Sequence, residues 1–155
     1  MRLTEILKPQ NILVPMQAKT KNEAIGELVA LLAKNNEIQD AKAVLDAVLE
    51  RETTRTTGIG NGLAIPHGKL PKLGRLFGLF ARLERPIDFE ALDSQSVDLI
   101  FLLLAPEAAG ADHLKALARV ARLLRDPEIA RKLRESRDAD ALYAVLAMPA
   151  ASSAA

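Results

Sequence analysis

Two histidines, an arginine and a threonine are the residues of this chain best suited to handle a phosphoryl group. His67 closes the stretch Gly58-Ile59-Gly60-Asn61-Gly62-Leu63-Ala64-Ile65-Pro66-His67-Gly68, where a glycine-punctuated loop leads through a short apolar segment to a Pro-His-Gly corner. Glycines accept backbone conformations that other residues resist, so such a loop can fold tightly and turn N–H groups toward an anion. A neutral imidazole keeps one nitrogen lone pair free, and its pKa lies near neutrality, so His67 can accept phosphate on a ring nitrogen. Arg51 carries a guanidinium that stays protonated and can grip two phosphate oxygens at once. Arg55 rivals it on residue type alone. His113 follows Asp112, which reads as the cap of a helix, and helix N-termini draw anions through unpaired N–H groups and aligned dipoles. Thr57 can donate its hydroxyl to a phosphate oxygen. Phosphoryl transfer needs positioning and charge neutralisation more than covalent help, and this set supplies both.

Other chemistries are poorly served. The chain has no cysteine, hence no disulfide framework, thiolate metal site or cysteine nucleophile. Two histidines without closely paired carboxylates or thiolates do not read as a zinc site, so no metal and no cofactor are expected. No Walker loop or dinucleotide fingerprint is present. A net charge of +1, with one tyrosine, four phenylalanines and no tryptophan, argues against nucleic-acid binding. Asp98, near the start of an apolar run, reads as a structural hydrogen-bonding group. The basic run Lys115, Arg119, Arg122, Arg125, Arg131, Lys132, Arg134 and Arg137 reads as a solvated helical face, with a docking surface as the other reading.

The elements that must position these residues follow from pattern. Ile12-Leu13-Val14 reads as a first strand stopped by Pro15. Thr20-Lys21-Asn22-Glu23 has capping-box form and precedes an amphipathic helix with Ala24, Ile25, Leu28, Val29 and Leu32 inward. Asp40 caps a second helix, with Val44, Ala47 and Val48 buried, that ends near Glu50-Arg51-Glu52. Leu63-Ala64-Ile65 reads as a strand presenting His67. The apolar runs Leu76 to Leu83 and Val97 to Ala105 read as strands buried on both faces. Asp112 is expected to cap a third helix with Leu114, Leu117, Ala121 and Leu124 inward. Asp126-Pro127-Glu128 opens a fourth, and Asp138 to Ala147 supplies a fifth. The reading is a single α/β domain over residues 1–147, a mixed β-sheet flanked by helices on both faces, with a disordered tail at 148–155. No apolar stretch is long enough to span a bilayer and the N-terminus lacks signal-peptide form, so a soluble cytoplasmic protein without membrane insertion is expected.

Several segments fall in one order: Leu3-Thr4-Glu5-Ile6-Leu7, the Arg51-Glu52 pair, the block Thr57 to Lys69, Pro86-Ile87-Asp88-Phe89, Val97-Asp98-Leu99-Ile100-Phe101, and His113-Leu114 opening an apolar helix. Together they resemble the fructose/mannitol-type enzyme IIA domains of the bacterial phosphotransferase system. Within that family the chain looks most like the nitrogen-related, non-transporting branch. The resemblance implies that His67 is phosphorylated, on Nε2. It places Arg51, and not Arg55, at the family's arginine, and His113 at the second histidine that orients or stabilises the first. It also implies an HPr-type phosphocarrier as donor. Two outputs stay open. A transport component would hand phosphate to a IIB cysteine for fructose, mannitol or a related sugar. A regulator would use its phosphorylation state to control partners such as a sensor kinase or a potassium transport system. The lone domain and the form Gly60-Asn61-Gly62-Leu63-Ala64-Ile65-Pro66-His67-Gly68-Lys69 favour the regulator.

Overall fold

The computed structural model describes residues 2–35 and 37–147. The tail expected at 148–155 lies outside the described residues. Six strands form one mixed sheet: β1 (Leu7–Met16), β2 (Gly58–Gly60), β3 (Leu63–Ala64), β4 (His67–Leu70), β5 (Phe77–Ile87) and β6 (Val97–Pro106). Their order is β1-β5-β6-β3-β2, with β4 also paired to β6. β6 pairs antiparallel with β5 and parallel with both β3 and β4. Thus β3 and β4 run as two pieces of one line along β6, broken at Ile65-Pro66. Leu63 lies beside Leu99 and His67 beside Leu103. The strand expected at 63–65 is therefore split, and His67 opens the second piece.

Helices cover both faces, as the alternation of strand and helix implied. On one side α1 (Lys21–Lys34) and α2 (Ala41–Thr54) bury Leu28, Leu32, Val44 and Val48 against Leu79, Ala81, Ile100 and Leu102. On the other, α3 (Ala111–Arg125), α4 (Pro127–Glu135) and α5 (Ala139–Leu146) bury Val120, Leu124, Leu133 and Leu142 against Phe80, Leu99, Phe101 and Leu103. Along β6 every residue from Leu99 to Ala105 is fully buried, as a strand covered on both faces must be. No helix among the described residues is long and apolar enough to cross a membrane.

Local signals account for most helix starts. The Glu23 N–H donates to Thr20 Oγ1 at 3.1 Å, and the Glu23 carboxylate reaches back to the Lys19 N–H at 2.9 Å. Asp40, Asp126 and Asp138 cap α2, α4 and α5 in the same way, with Pro127 at the first turn of α4. α1 buries the five residues expected of it, while α2 buries Val44, Val48 and Glu52 and leaves Ala47 half-buried.

Three expectations need correction. β1 is longer than Ile12-Leu13-Val14 and runs through Pro9 and Pro15, which an edge strand tolerates because its outer side lacks ladder partners. α3 starts two residues earlier than an Asp112 cap would allow. Gly110 occupies the cap position at φ +54°, no side chain caps the helix, and Asp112 is exposed in its first turn. The inward stripe of α3 is accordingly His113, Ala116, Val120 and Leu124, while Leu114 is 65% exposed.

Candidate functional site

The site is built where β4, the first turn of α3 and the last turn of α2 converge. His67 starts β4, and its register opposite Leu103 turns its side chain to the face covered by α3. On the opposite face, a Cβ at Gly68 would lie 3.2 Å from Val48 Cγ2, so glycine there lets α2 pack close to β4. α3 delivers His113 from its first turn. The two imidazoles face each other with ring centroids 5.6 Å apart and planes inclined by 54°.

The hydrogen bonds of His67 decide its tautomer. Its Nδ1 lies 2.9 Å from the Ile65 carbonyl oxygen. A carbonyl can only accept, so Nδ1 carries the proton and the neutral ring keeps its lone pair on Nε2. The Ile65-Pro66 segment is itself anchored: the Ile65 N–H donates to Thr57 O at 3.0 Å, and the Leu103 N–H donates to Pro66 O at 3.0 Å. Burial lowers the His67 pKa below its ordinary value. The bond to Ile65 works against that shift, Arg51 adds to it, and Glu52 opposes it. A neutral, half-buried ring with a lone pair on Nε2 is a competent nucleophile at neutral pH.

His113 is prepared differently. It is 5% exposed, and neither ring nitrogen has a hydrogen-bond partner. Burial lowers its pKa, followed by the positive charge that His67, Lys69 and Arg51 direct at it. Buried polar atoms are rarely left unpaired, and here the orphaned nitrogens belong to the ring next to the one that carries the lone pair. With the uncapped N–H groups at the head of α3 and the cations Arg51 and Lys69, they make a surround suited to an anion on His67.

Arg51 is half-buried in the last turn of α2, and its Nη1 donates to Arg55 O at 3.4 Å. Among the described residues it makes no ion pair within 4 Å, so its charge is directed at the two histidines rather than at Glu50 or Glu52. Arg55 is exposed and terminates the helix. Thr57 is buried, and its hydroxyl donates to Glu52 Oε1 at 2.6 Å while its N–H donates to Glu52 Oε2 at 2.9 Å. In this arrangement the Thr57 proton is committed to Glu52 and has no donor left for a phosphate oxygen.

The glycine loop also has a different job from the one its composition suggested. Gly60, Asn61 and Gly62 all have positive φ and make the β2–β3 turn. The Asn61 N–H donates to Asp93 Oδ2, the Gly58 N–H donates to Thr56 Oγ1, and Gly62 O accepts from the N–H groups of Asp98 and Leu99. Arg134 grips Asp98 through two bonds of 2.9 Å and donates to Asn61 O at 2.8 Å. Since Leu63, the residue after the turn, sits beside Leu99 and His67 beside Leu103, about 13 Å of strand separates the end of the turn from the imidazole. These glycines shape the scaffold and do not cradle a phosphate on His67. Asp98 is the structural group it was expected to be.

Residues 5–148 match the family described as "Phosphoenolpyruvate-dependent sugar phosphotransferase system, EIIA 2". The chain belongs to this family. It is 58% identical over 154 residues to a nitrogen regulatory protein of Bradyrhizobium diazoefficiens, covering 99% of this chain and 100% of that protein. The nitrogen regulatory protein IIA-Ntr of Neisseria meningitidis superposes with a TM-score of 0.87 at 32% identity, over 93% of this chain and 98% of that one. A fructose-specific EIIABC component of Bacillus subtilis is 36% identical over 146 residues, which are 94% of this chain and 23% of that protein. Within the EIIA 2 family the chain therefore sides with the nitrogen regulatory branch.

Against this family background two features of the site were not singled out from sequence. Lys69 shares the face of His67 two residues along β4. Glu52 continues the buried stripe of Val44 and Val48 at four-residue spacing, and a charge on that stripe was the available signal. The basic run is divided. Lys115, Arg119, Arg122 and Arg125 are exposed on α3, whereas Arg131 pairs with Glu128 and Glu135 within α4, and Arg134 with Asp98. Among the described residues no group of three His, Cys, Asp or Glu could hold a metal ion.

Proposed function

We propose that this EIIA 2 protein carries phosphate on His67, taken from an HPr-type phosphocarrier in the cytoplasm, and that its phosphorylation state controls its binding to regulatory partners. The observation that carries the first half is the bond from Nδ1 to the Ile65 carbonyl, which leaves the lone pair on Nε2. In the transfer step Nε2 forms the new N–P bond. The carrier's N–P bond breaks and its electron pair returns to the carrier. Arg51, Lys69, His113 and the head of α3 neutralise charge on the equatorial oxygens, where a loose transition state concentrates it. The product is a phosphoramidate, which keeps phosphate transferable without a nucleotide. Phosphate adds about −1.5 to −2 charge at pH 7 to the surface that holds it, enough to alter a docking face without refolding.

The regulatory half is supported by likeness to nitrogen regulatory proteins over essentially their whole length. The alternative is a transport component passing phosphate to an EIIB cysteine, and the likeness to the fructose-specific EIIABC component favours it. These 155 residues hold no cysteine, so in that case the thiol acceptor lies outside them. A reconstitution of phosphoenolpyruvate, enzyme I and an HPr-type carrier tests the reading. Wild type takes one phosphate and His67→Ala takes none. Labelling of His67→Ala at the wild-type rate overturns the assignment. Rapid discharge to a fructose- or mannitol-type EIIB, with the same partners bound before and after phosphorylation, replaces the regulator by the transport component.

A further inference from the structure

Four polar or charged residues are buried among those described: Asn11, Glu52, Thr57 and His113. Asn11 is paired to the Asn35 amide at 2.9 Å, away from the site. Glu52 and Thr57 pair with each other directly behind Arg51. The Glu52 carboxylate is unfavourably placed on two counts: it is desolvated, and it sits at the negative end of the α2 dipole. A leucine would continue the stripe of Val44 and Val48 without either cost. Two donors and one cation offset the cost: the Thr57 hydroxyl at 2.6 Å, the Thr57 N–H at 2.9 Å and the Lys21 ammonium in an ion pair at 3.6 Å. Lys21 is held in turn by Glu90 at 3.5 Å and lies over the Phe89 ring. The last turn of α2 is thus tied to the first residues leading into β2 and packed against α1.

Arg51 precedes Glu52 by one residue, about 100° around the helix. When Glu52 points inward to Thr57, Arg51 is turned to the flank where β4 and α3 present their histidines. Thr57 O also accepts the Ile65 N–H, so the same latch anchors the segment whose carbonyl fixes the His67 tautomer. We infer that Glu52 is a positioning residue for phosphoryl transfer, its carboxylate latching α2 to the approach of β2 through Thr57 and so fixing both Arg51 and the Ile65-Pro66 support of His67. This rests on the reading of His67 as phosphoryl acceptor. The charged groups that act on His67 are Arg51 and Glu52 from α2, with the His113 ring beside it on α3; Lys69, from the same strand as His67, acts on His113, and Glu52 is the anion of this set.

The test uses Glu52→Gln, Thr57→Val and Thr57→Ser in the full chain. Three quantities are followed: transfer kinetics from an HPr-type carrier, ring titrations of His67 and His113 by NMR, and the NMR shift of the Arg51 guanidinium. Misplacing a positioned group by an ångström costs about 100-fold in rate, so Glu52→Gln is expected to lower kcat about 10- to 100-fold with KM changed less than about twofold. The Arg51 signal moves, and the His67 titration midpoint falls because the anion of that set is gone. Thr57→Val slows transfer in the same range while the midpoint stays nearer wild type, and Thr57→Ser, which keeps the donor, retains most of the rate.

An unchanged kcat and Arg51 signal in Glu52→Gln overturns the proposal, as does a rate loss equal to the loss of folded protein. If Glu52→Gln does not fold, the Thr57→Val and Thr57→Ser pair decides. If wild type takes no phosphate, the proposed function fails, while the titrations and the Arg51 signal still report on the latch.

Discussion

The two ends of β6 are finished in opposite ways. At its start, the Gly60–Gly62 turn, Asp98 and Arg134 satisfy one another through short bonds, with Asp93 closing the turn from outside. Near its other end, His113 is buried with both ring nitrogens unpartnered, α3 begins without a side-chain cap, and Arg51 makes no ion pair among the described residues. Unmet hydrogen-bonding capacity costs stability, and beyond the buried Arg82 Nε on β5 the unpartnered side-chain nitrogens among the described residues are the two on the His113 ring beside His67, a place suited to a group that arrives later. Glycine content would direct attention to the first end. The chemistry we propose lies at the second.

If that contrast is right, substitutions at the two ends separate stability from transfer. The largest effect is expected for His113→Leu. Removing an oxyanion-stabilising group costs about 100-fold or more in rate. Because two buried unpaired nitrogens go with it, the melting temperature should hold or rise. A transfer rate within twofold of wild type, or a marked loss of stability, would break the contrast at this end.

At the other end Gly62→Ala should do the reverse. Gly62 has φ +79°, and an added Cβ would lie 2.5 Å from Arg134 Nη2 and 2.9 Å from Asp98 Oδ1. Backbone strain together with a disrupted ion pair is expected to cost about 2–3 kcal/mol. Thermal denaturation gives the cost, and transfer per folded molecule should stay near wild type. A selective loss of transfer would return the glycine turn to the phosphate site.

How far each end could be read from sequence follows from the range of the interactions involved. Caps such as Thr20, Asp40, Asp126 and Asp138 bind N–H groups two or three residues ahead, so the chain spells them out locally. The α/β class followed from the buried runs that became β5 and β6. The inward stripe of α3 was misread by one position because it begins with a histidine, and hydropathy favoured Leu114 instead. Asp98 and Arg134 lie 36 residues apart, and nothing local predicts their pairing. The motif around His67 singled out the residue, and the spacing of family-like segments supplied Arg51 and His113. Which His67 nitrogen is free was implied by the family resemblance and could not be read from the residues themselves, since it depends on how Ile65-Pro66 bends between β3 and β4. The commitment of Thr57 to Glu52 was equally hidden, as it needs α2 and β2 placed side by side.

A smaller effect concerns pH. Burial first of all lowers the pKa of both His67 and His113 from the ordinary value near 6.5. The unfolded chain therefore takes up these protons at a higher pH than the folded chain does. Their contribution to stability is full above about pH 6.5 and is lost as pH falls through the folded-state midpoints. Melting temperature measured below pH 6.5 should fall more steeply in wild type than in a His67→Ala, His113→Leu double variant. The acid limb of the transfer rate should likewise lie below pH 6.5. Parallel melting profiles for the two proteins, or an acid limb above 6.5, would contradict the burial of both rings.

The most direct test of the central claim is which nitrogen of His67 bears phosphate. Protein labelled with ¹⁵N in its histidine rings, phosphorylated by an HPr-type carrier and observed by NMR, reports this from the ring nitrogen shifts and their coupling to phosphorus. The bond from Nδ1 to the Ile65 carbonyl predicts phosphate on Nε2 of His67, with Nδ1 still protonated. Phosphate on Nδ1, which would require that bond to break, or phosphate on His113 would contradict the account.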